Sequence, residues 1–161
     1  MRLASLSDSP DAFSTTYEEA NRRSLDSWTE QANSTAEGID RVTALAFYND
    51  EPVGIGALYR DAQERGAGEV VQFWVDPDHR GGPIAGKLIT WISKWAETHD
   101  YNRLIAWVNK DNERAIKFYQ KFGFTFTDMR QPFRNGADIV SCLMVKLLSG
   151  ESDPVRGSDK Y

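Results

Sequence analysis

Apolar and polar positions change rhythm several times along the chain, and each change predicts an element. Leu3 and Leu6 stand at helical spacing ahead of a stop at Asp8, Ser9 and Pro10, so a short helix comes first. Thr15 or Thr16 can cap a second helix through Tyr17, Glu18, Glu19 and Ala20, whose acidic first turn suits the helix dipole. Trp28 lies in a further helical stretch, and the small residues of 33–38 predict a loop. From Arg41 the period becomes two. Val42, Ala44, Ala46 and Tyr48 alternate with Thr43, Leu45 and Phe47, which predicts a strand buried on both faces. Asn49, Asp50 and Glu51 turn the chain into a second strand over 52–60, and Gly66, Ala67 and Gly68 turn it again into a third over 69–75. The three form an antiparallel meander.

A helical period begins at Pro83. Ile84, Leu88, Trp91, Ile92 and Trp95 form one apolar stripe, with Lys87, Ser93 and Lys94 on the polar side. A short apolar strand at 104–108 completes a strand-helix-strand unit whose two strands must run parallel. After a polar turn at 109–112, a helix over 113–122 places Ala115, Ile116, Tyr119 and Phe122 on one face, with Gly123 as a left-handed cap. Strands at 124–129 and 137–148 close the sheet antiparallel, and the pair Asn135 and Gly136 favours a tight reversal between them. Residues 149–161 carry too little apolar side chain to order themselves, so the reading is one domain over 1–148 and a flexible tail.

Composition narrows the class. A chain of 161 residues, 40% hydrophobic, can bury one core without disulfides, and a single cysteine permits none within the chain. Cys142, beside Leu143 and Met144, reads as a buried strand thiol. His79 and His99 with one cysteine cannot build a usual structural zinc site, so no metal is expected. There is neither an apolar run of membrane-spanning length nor a signal-peptide layout, which predicts a cytoplasmic protein without a membrane partner. The net charge of -5 argues against nucleic acid and would tolerate a cationic amine.

Candidate chemistry concentrates in 69–86. A strand, a glycine-bearing turn and a fresh helix start make an anion site, because the first N–H groups of the helix lack partners and the dipole adds positive charge. Arg80 adds a fixed charge, and Gly81 and Gly82 allow close approach. An ordinary strand-to-helix connection would carry the same residues.

The order of these elements resembles the GNAT family of acetyl-CoA-dependent N-acetyltransferases over about residues 1–148. Two motifs carry the resemblance. The first is the pyrophosphate-binding loop, present as Arg80, Gly81, Gly82, Pro83, Ile84 and Ala85. The second runs from Asn112 through Ala115 and Tyr119 to Gly123 and Phe124. Residues 6–13 also look like the first-helix region of members. Pro83 departs from the family's usual glycine and supplies no N–H, although its fixed φ suits a helix start. Almost nothing precedes Leu3, where members have a first strand, so a full first strand is expected to be absent.

The resemblance implies an α/β (α+β) GNAT fold: a mixed, mostly antiparallel twisted sheet with helices on both faces and a central parallel pair splayed around acetyl-CoA. Backbone groups of Phe73, Trp74 and Val75 would pair with the pantetheine arm. Arg80 and the amides of Gly81, Gly82, Ile84, Ala85 and Gly86 would hold the pyrophosphate around Pro83, and Asn112 would bond the arm while capping its helix. The implied reaction moves an acetyl group directly to a primary amine of a small molecule or peptide. It needs an acid at the thiolate and a base at the ammonium. Tyr119 is the candidate acid, and otherwise an ordinary core tyrosine. Glu69 is the candidate base, with a solvated strand-end glutamate or a water relay through Gln72 or backbone carbonyls as alternatives. A noncatalytic acyl-CoA-binding module is the rival class, and a homodimer is compatible with either.

Overall fold

The computed structural model describes residues 1–134 and 138–148. The expected reversal at Asn135 and Gly136 and the tail at 149–161 lie outside the described residues. Three helices come first, α1 (Arg2–Asp8), α2 (Tyr17–Asn21) and α3 (Leu25–Ala36). The meander follows as β1 (Arg41–Tyr48), β2 (Glu51–Arg60) and β3 (Ala67–Val75). Then come α4 (Ile84–Glu97), β4 (Arg103–Asn109), α5 (Glu113–Lys121), β5 (Thr125–Pro132) and β6 (Val140–Leu147). The six strands lie in the order β1-β2-β3-β4-β6-β5, with β3 and β4 parallel and every other pair antiparallel. Among the described residues no helix is long and apolar enough to cross a membrane.

Local chemistry accounts for the element ends. Thr16 and Glu19 form a reciprocal capping box at the start of α2. Asn49 and Asp50 both have positive φ, 49° and 64°, which a two-residue reversal matched to the strand twist requires. At the end of α5 the amide of Gly123 donates to the Gln120 carbonyl at 3.1 Å and that of Phe124 to the Tyr119 carbonyl at 3.0 Å, the paired bonds of a Schellman cap. This termination matters because a helix of nine residues is below the roughly 12–15 at which isolated helices become marginally stable. Packing therefore supplies the remainder, with Tyr119 and Phe124 buried beside Ile92 and Met144.

Two layers of helix enclose the sheet. On one face Leu88, Ile89, Ile92 and Ala96 of α4 are buried, and the last three join Leu58, Val70, Leu104 and Met144 in the main core. Each fully buried Leu or Ile contributes about 1.5–3 kcal/mol of transfer free energy, and this face carries the larger apolar cluster. On the other, Leu6, Phe13 and Ala20 of the N-terminal segment pack on Ile55 and Trp74. The position of this second cluster decides where α1 stands relative to the chemistry.

Several sequence expectations need correction. The strand predicted as buried on both faces, β1, lies at the sheet edge, where Leu45, Phe47 and Tyr48 are exposed and Val42 is its one buried residue. Alternating apolar residues cannot say how many layers cover them. Residues 33–36 are the last turn of α3 rather than a loop, because small polar residues cost a helix little when Ser34 and Thr35 bond back to carbonyls of the preceding turn. The buried face of α4 is rotated from the predicted stripe: Trp91 is exposed, whereas Ser93 is buried, donating to the Ile89 carbonyl and accepting from Lys146 Nζ at 3.1 Å. Phe124 anchors the core ahead of β5 instead of beginning the strand, and β6 begins at Val140.

Candidate active site

The site begins with an irregularity in β3. Its ladder with β2 slips by one residue between Ile55 and Ala57, and Gln72 takes φ 56° to absorb the extra residue. Such a bulge bends and twists its strand. On the opposite edge β3 pairs with β4 at only three positions, the last being Glu69 with Ile105, after which the parallel strands separate. Among the described residues, the β4-side edge of β3 has no strand partner from Val70 to Val75. Glu69 is thus the residue at the fork, not the start of the strand as the sequence suggested, because β3 already begins at Ala67.

A cavity of about 840 Å³ fills the fork, inside the roughly 300–1,000 Å³ usual for small-molecule sites. Of the residues singled out from sequence, Glu69, Phe73, Trp74, Val75, Arg80, Ala85, Asn112 and Tyr119 line it. Gly81, Gly82, Pro83, Ile84 and Gly86 do not; the first three are exposed on the adjoining loop. Gly86 has a packing reason to be glycine, since a Cβ there would lie 2.9 Å from the Phe122 ring where α4 meets α5. Sequence reasoning missed Arg2, Tyr59, Trp107, Asn109 and Phe133, which also line the cavity, from α1, β2, β4 and the segment after β5. Only Asn109, the last residue of β4, carried a local hint, as a polar residue closing an apolar strand; its side chain bonds the Asp11 carbonyl and the Asp111 amide.

Electrostatics distinguish the candidate acid and base. The Glu69 carboxylate accepts no hydrogen bond among the described residues, and burial, then the charge of Asp61, pushes it above the ordinary glutamate range. The Tyr119 ring is buried among Phe73, Phe118 and Phe124. Burial first, and then the Glu69 charge, raises its phenol well above the usual tyrosine range, so it stays protonated at neutral pH. Its hydroxyl has no partner among the described residues.

Arg80 is already engaged. Its Nε donates to the Val75 carbonyl at 2.8 Å, and its guanidinium pairs with Asp8 at the end of α1. Asp8 also accepts from Trp74 Nε1 at 2.9 Å and from Ser9 Oγ at 2.6 Å. Burial alone would raise the Asp8 carboxyl, but the bonds from Ser9, Trp74 and Arg80 together with the Arg80 charge hold it at about 2. The charge expected to stand free at the loop is therefore half-neutralised by a carboxylate 72 residues away in sequence.

The loop and fork suit an extended, phosphate-bearing ligand. No side chain caps α4, and the first bond within it is from Lys87 N to the Pro83 carbonyl, so the amides of Ile84, Ala85 and Gly86 have no helical partner. Gly81 has φ 80° with open space around it, a conformation that other residues rarely adopt. Asn112 caps α5 by accepting from Ala115 N at 3.1 Å, and its NH₂ group donates to no partner among the described residues. Among the described residues no three His, Cys, Asp or Glu side chains converge as metal ligands would.

Comparison with known proteins agrees with this architecture. The sequence model of the acetyltransferase (GNAT) family matches residues 6–124. The chain belongs to that family. It is 32% identical over 80 residues to an uncharacterised N-acetyltransferase of Methanocaldococcus jannaschii, a match covering 47% of this chain and 35% of that protein. Among solved structures, a GNAT acetyltransferase of Streptococcus pneumoniae superposes with a TM-score of 0.74 at 24% identity, covering 86% of this chain and 84% of that one. A ribosomal-protein-alanine N-acetyltransferase of Brucella melitensis gives 0.70 at 21%, with 91% of both chains covered. A family member from Elizabethkingia anophelis with acetyl-CoA bound gives 0.59 at 21%, covering 78% and 84%. At these identities the likeness is one of fold.

Proposed function

We propose that the protein is an N-acetyltransferase that moves an acetyl group from acetyl-CoA to a primary amine in the fork between β3 and β4. The observation that carries this reading is the fork itself. It opens a cavity joining an unpaired strand edge, an uncapped helix start, a half-buried glutamate and a protonated tyrosine. Acetyl-CoA bound there supplies an acetyl thioester for the amine to attack and a thiolate to leave. The free edge of β3 at Phe73, Trp74 and Val75 would hold the pantetheine arm like an added strand, although Arg80 already takes the Val75 carbonyl. The amides of Gly81, Gly82, Ile84, Ala85 and Gly86 would hold the pyrophosphate, with Asn112 donating to the arm.

Glu69 accepts the proton that the ammonium must lose, a task suited to a carboxyl raised toward the working pH. Tyr119 donates its proton to the leaving sulfur, which requires a phenol still protonated at neutral pH. A stepwise test separates binding from chemistry. Calorimetry should show acetyl-CoA binding that weakens when Arg80 is reversed in charge, and thiol release should depend on an added amine. Absence of binding at millimolar CoA would overturn the cofactor assignment. Turnover would dismiss a noncatalytic binding module, and binding without turnover on any amine would favour it.

A further inference from the structure

Arg2 opens α1 and reaches the cavity wall half-buried, yet among the described residues no negative charge answers it. Its guanidinium lies over the Phe13 ring with 4.4 Å to the centroid, and its one hydrogen bond is a long 3.5 Å contact to Ser5 Oγ. No carboxylate pairs with it among the described residues. A second cation reinforces the imbalance. Arg23 bonds only neutral groups, the Ser27 hydroxyl and carbonyl and the Gln31 amide oxygen. Burial, opposed by Tyr59 and assisted by Arg23, lowers the Arg2 guanidinium to about 10. A partly desolvated cation with four of its five N–H donors unused is costly unless an anion arrives to meet it.

Tyr59 extends the same wall. Its hydroxyl accepts from Gln31 Nε2 at 3.1 Å, and its own proton is undonated among the described residues. It is also the direct cross-strand partner of Glu69, so both side chains leave the sheet on one face about 4.5–5.5 Å apart at Cβ. The remaining carboxylates do not compensate for Arg2. Asp8 is held by Arg80 and Trp74, Asp111 pairs with Lys110 at 3.0 Å, and Asp11 is exposed. The cavity thus presents two anion-seeking donors, Arg2 and Tyr59, beside the half-buried carboxylate of Glu69.

We propose that the acceptor is a small zwitterionic amine of the amino-acid type, its carboxylate held by Arg2 and Tyr59 while its amine stands at Glu69. This rests on the acetyl-transfer reading above and narrows its substrate. Arg2 discriminates through charge. A polyamine would bring a second ammonium toward Arg2 and Arg23, whereas a carboxylate supplies the missing partner and can be held bidentately.

The test pairs each of the twenty standard L-amino acids with its carboxamide, adds spermidine as a polycation, and reads two signals. Binding to the protein saturated with CoA is followed by calorimetry, and acetyl transfer by thiol release. At least one amino acid should bind and react about 10-fold to 100-fold better than its carboxamide, the worth of a charged hydrogen bond. That ratio should fall toward one in Arg2→Gln, recover largely in Arg2→Lys, and shrink partially in Tyr59→Phe, with melting curves confirming that each variant is folded. Equal or better use of the carboxamides or of spermidine overturns the proposal, as does an unchanged ratio in Arg2→Gln. If no amino acid binds to the CoA complex it fails as well. Binding of amino acids without transfer would instead overturn the acetyltransferase reading while leaving carboxylate recognition standing.

Discussion

Tyr119 and Glu69 are far apart in sequence and approach the cavity from a helix and a strand, and the Glu69 charge adds to burial in raising the Tyr119 phenol. Their separate jobs give separate signatures. Tyr119→Phe keeps the ring that packs against Phe73 and Phe124 and removes only the hydroxyl, so fold and acetyl-CoA affinity should be retained. Turnover should drop by about 100-fold to 10,000-fold, the usual range for general acid-base help. Full activity in this variant would dismiss the acid role. Glu69 acts as a base only when ionised, and its carboxyl is raised, so kcat/KM should fall as pH drops through that raised value. In Glu69→Gln the acidic limb should flatten; a limb that persists would transfer the base role to another group or to a water relay through Gln72. The family resemblance brought Tyr119 and Glu69 forward as candidates, where the residues alone left a core tyrosine and a solvated strand-end glutamate equally open. Arg2 was invisible there, because an arginine near the chain start has no local feature that tells a cavity wall from solvent.

Among the elements, the start of α4 is where conformation and hydrogen bonding compete. Pro83 has φ -79° and ψ -9°, already helical, and accepts the first bond of the helix while offering no N–H. Pro83→Gly should restore one donor to the anion site and tighten acetyl-CoA binding by about 0.5–1.5 kcal/mol. The same change widens the unfolded ensemble and should lower stability by about 0.4–1 kcal/mol. Binding and melting therefore move in opposite senses, as calorimetry and thermal unfolding would record. Weaker binding by a folded Pro83→Gly protein would show that the preset turn outweighs the missing amide. Boundaries such as the cap at Gly123 were legible because they depend on a few adjacent residues. The rotated face of α4 was not, since Trp91 and Ser93 differ in burial through what β2 and β6 place opposite them.

At the scale of the molecule, Asp8 ties the N-terminal helices to the loop at the cavity mouth by holding Trp74 and Arg80 together. The folded carboxyl titrates near 2 against an ordinary 3.8, so the folded state binds the proton less readily than the unfolded chain. Its contribution is fully present above about 3.8 and is lost as pH falls through about 2. Asp8→Asn should therefore be less stable than the parent at pH 7, by no more than about 1 kcal/mol because the pair is partly solvated. The difference should close between about pH 4 and pH 2. Unfolding curves for both proteins across that range check it; a difference independent of pH would assign the loss to packing.

The sequence by itself determined the succession of elements, the parallel unit enclosing α4 and the glycine-bearing turn ahead of that helix. These follow from periodicity, turn chemistry and spacing, all of which act over a few residues. The tertiary structure decided how far β3 and β4 pair before they part, because a bulge at Gln72 and three ladder positions set the fork. It decided that β1 is an exposed edge, that Gly86 serves helix packing, and that Arg80 is paired across 72 residues. It also decided the charge a ligand meets. The net charge of -5 would tolerate a cationic acceptor, but charge acts through distance and burial, and what lies within reach of the cavity is an arginine with no counter-ion among the described residues.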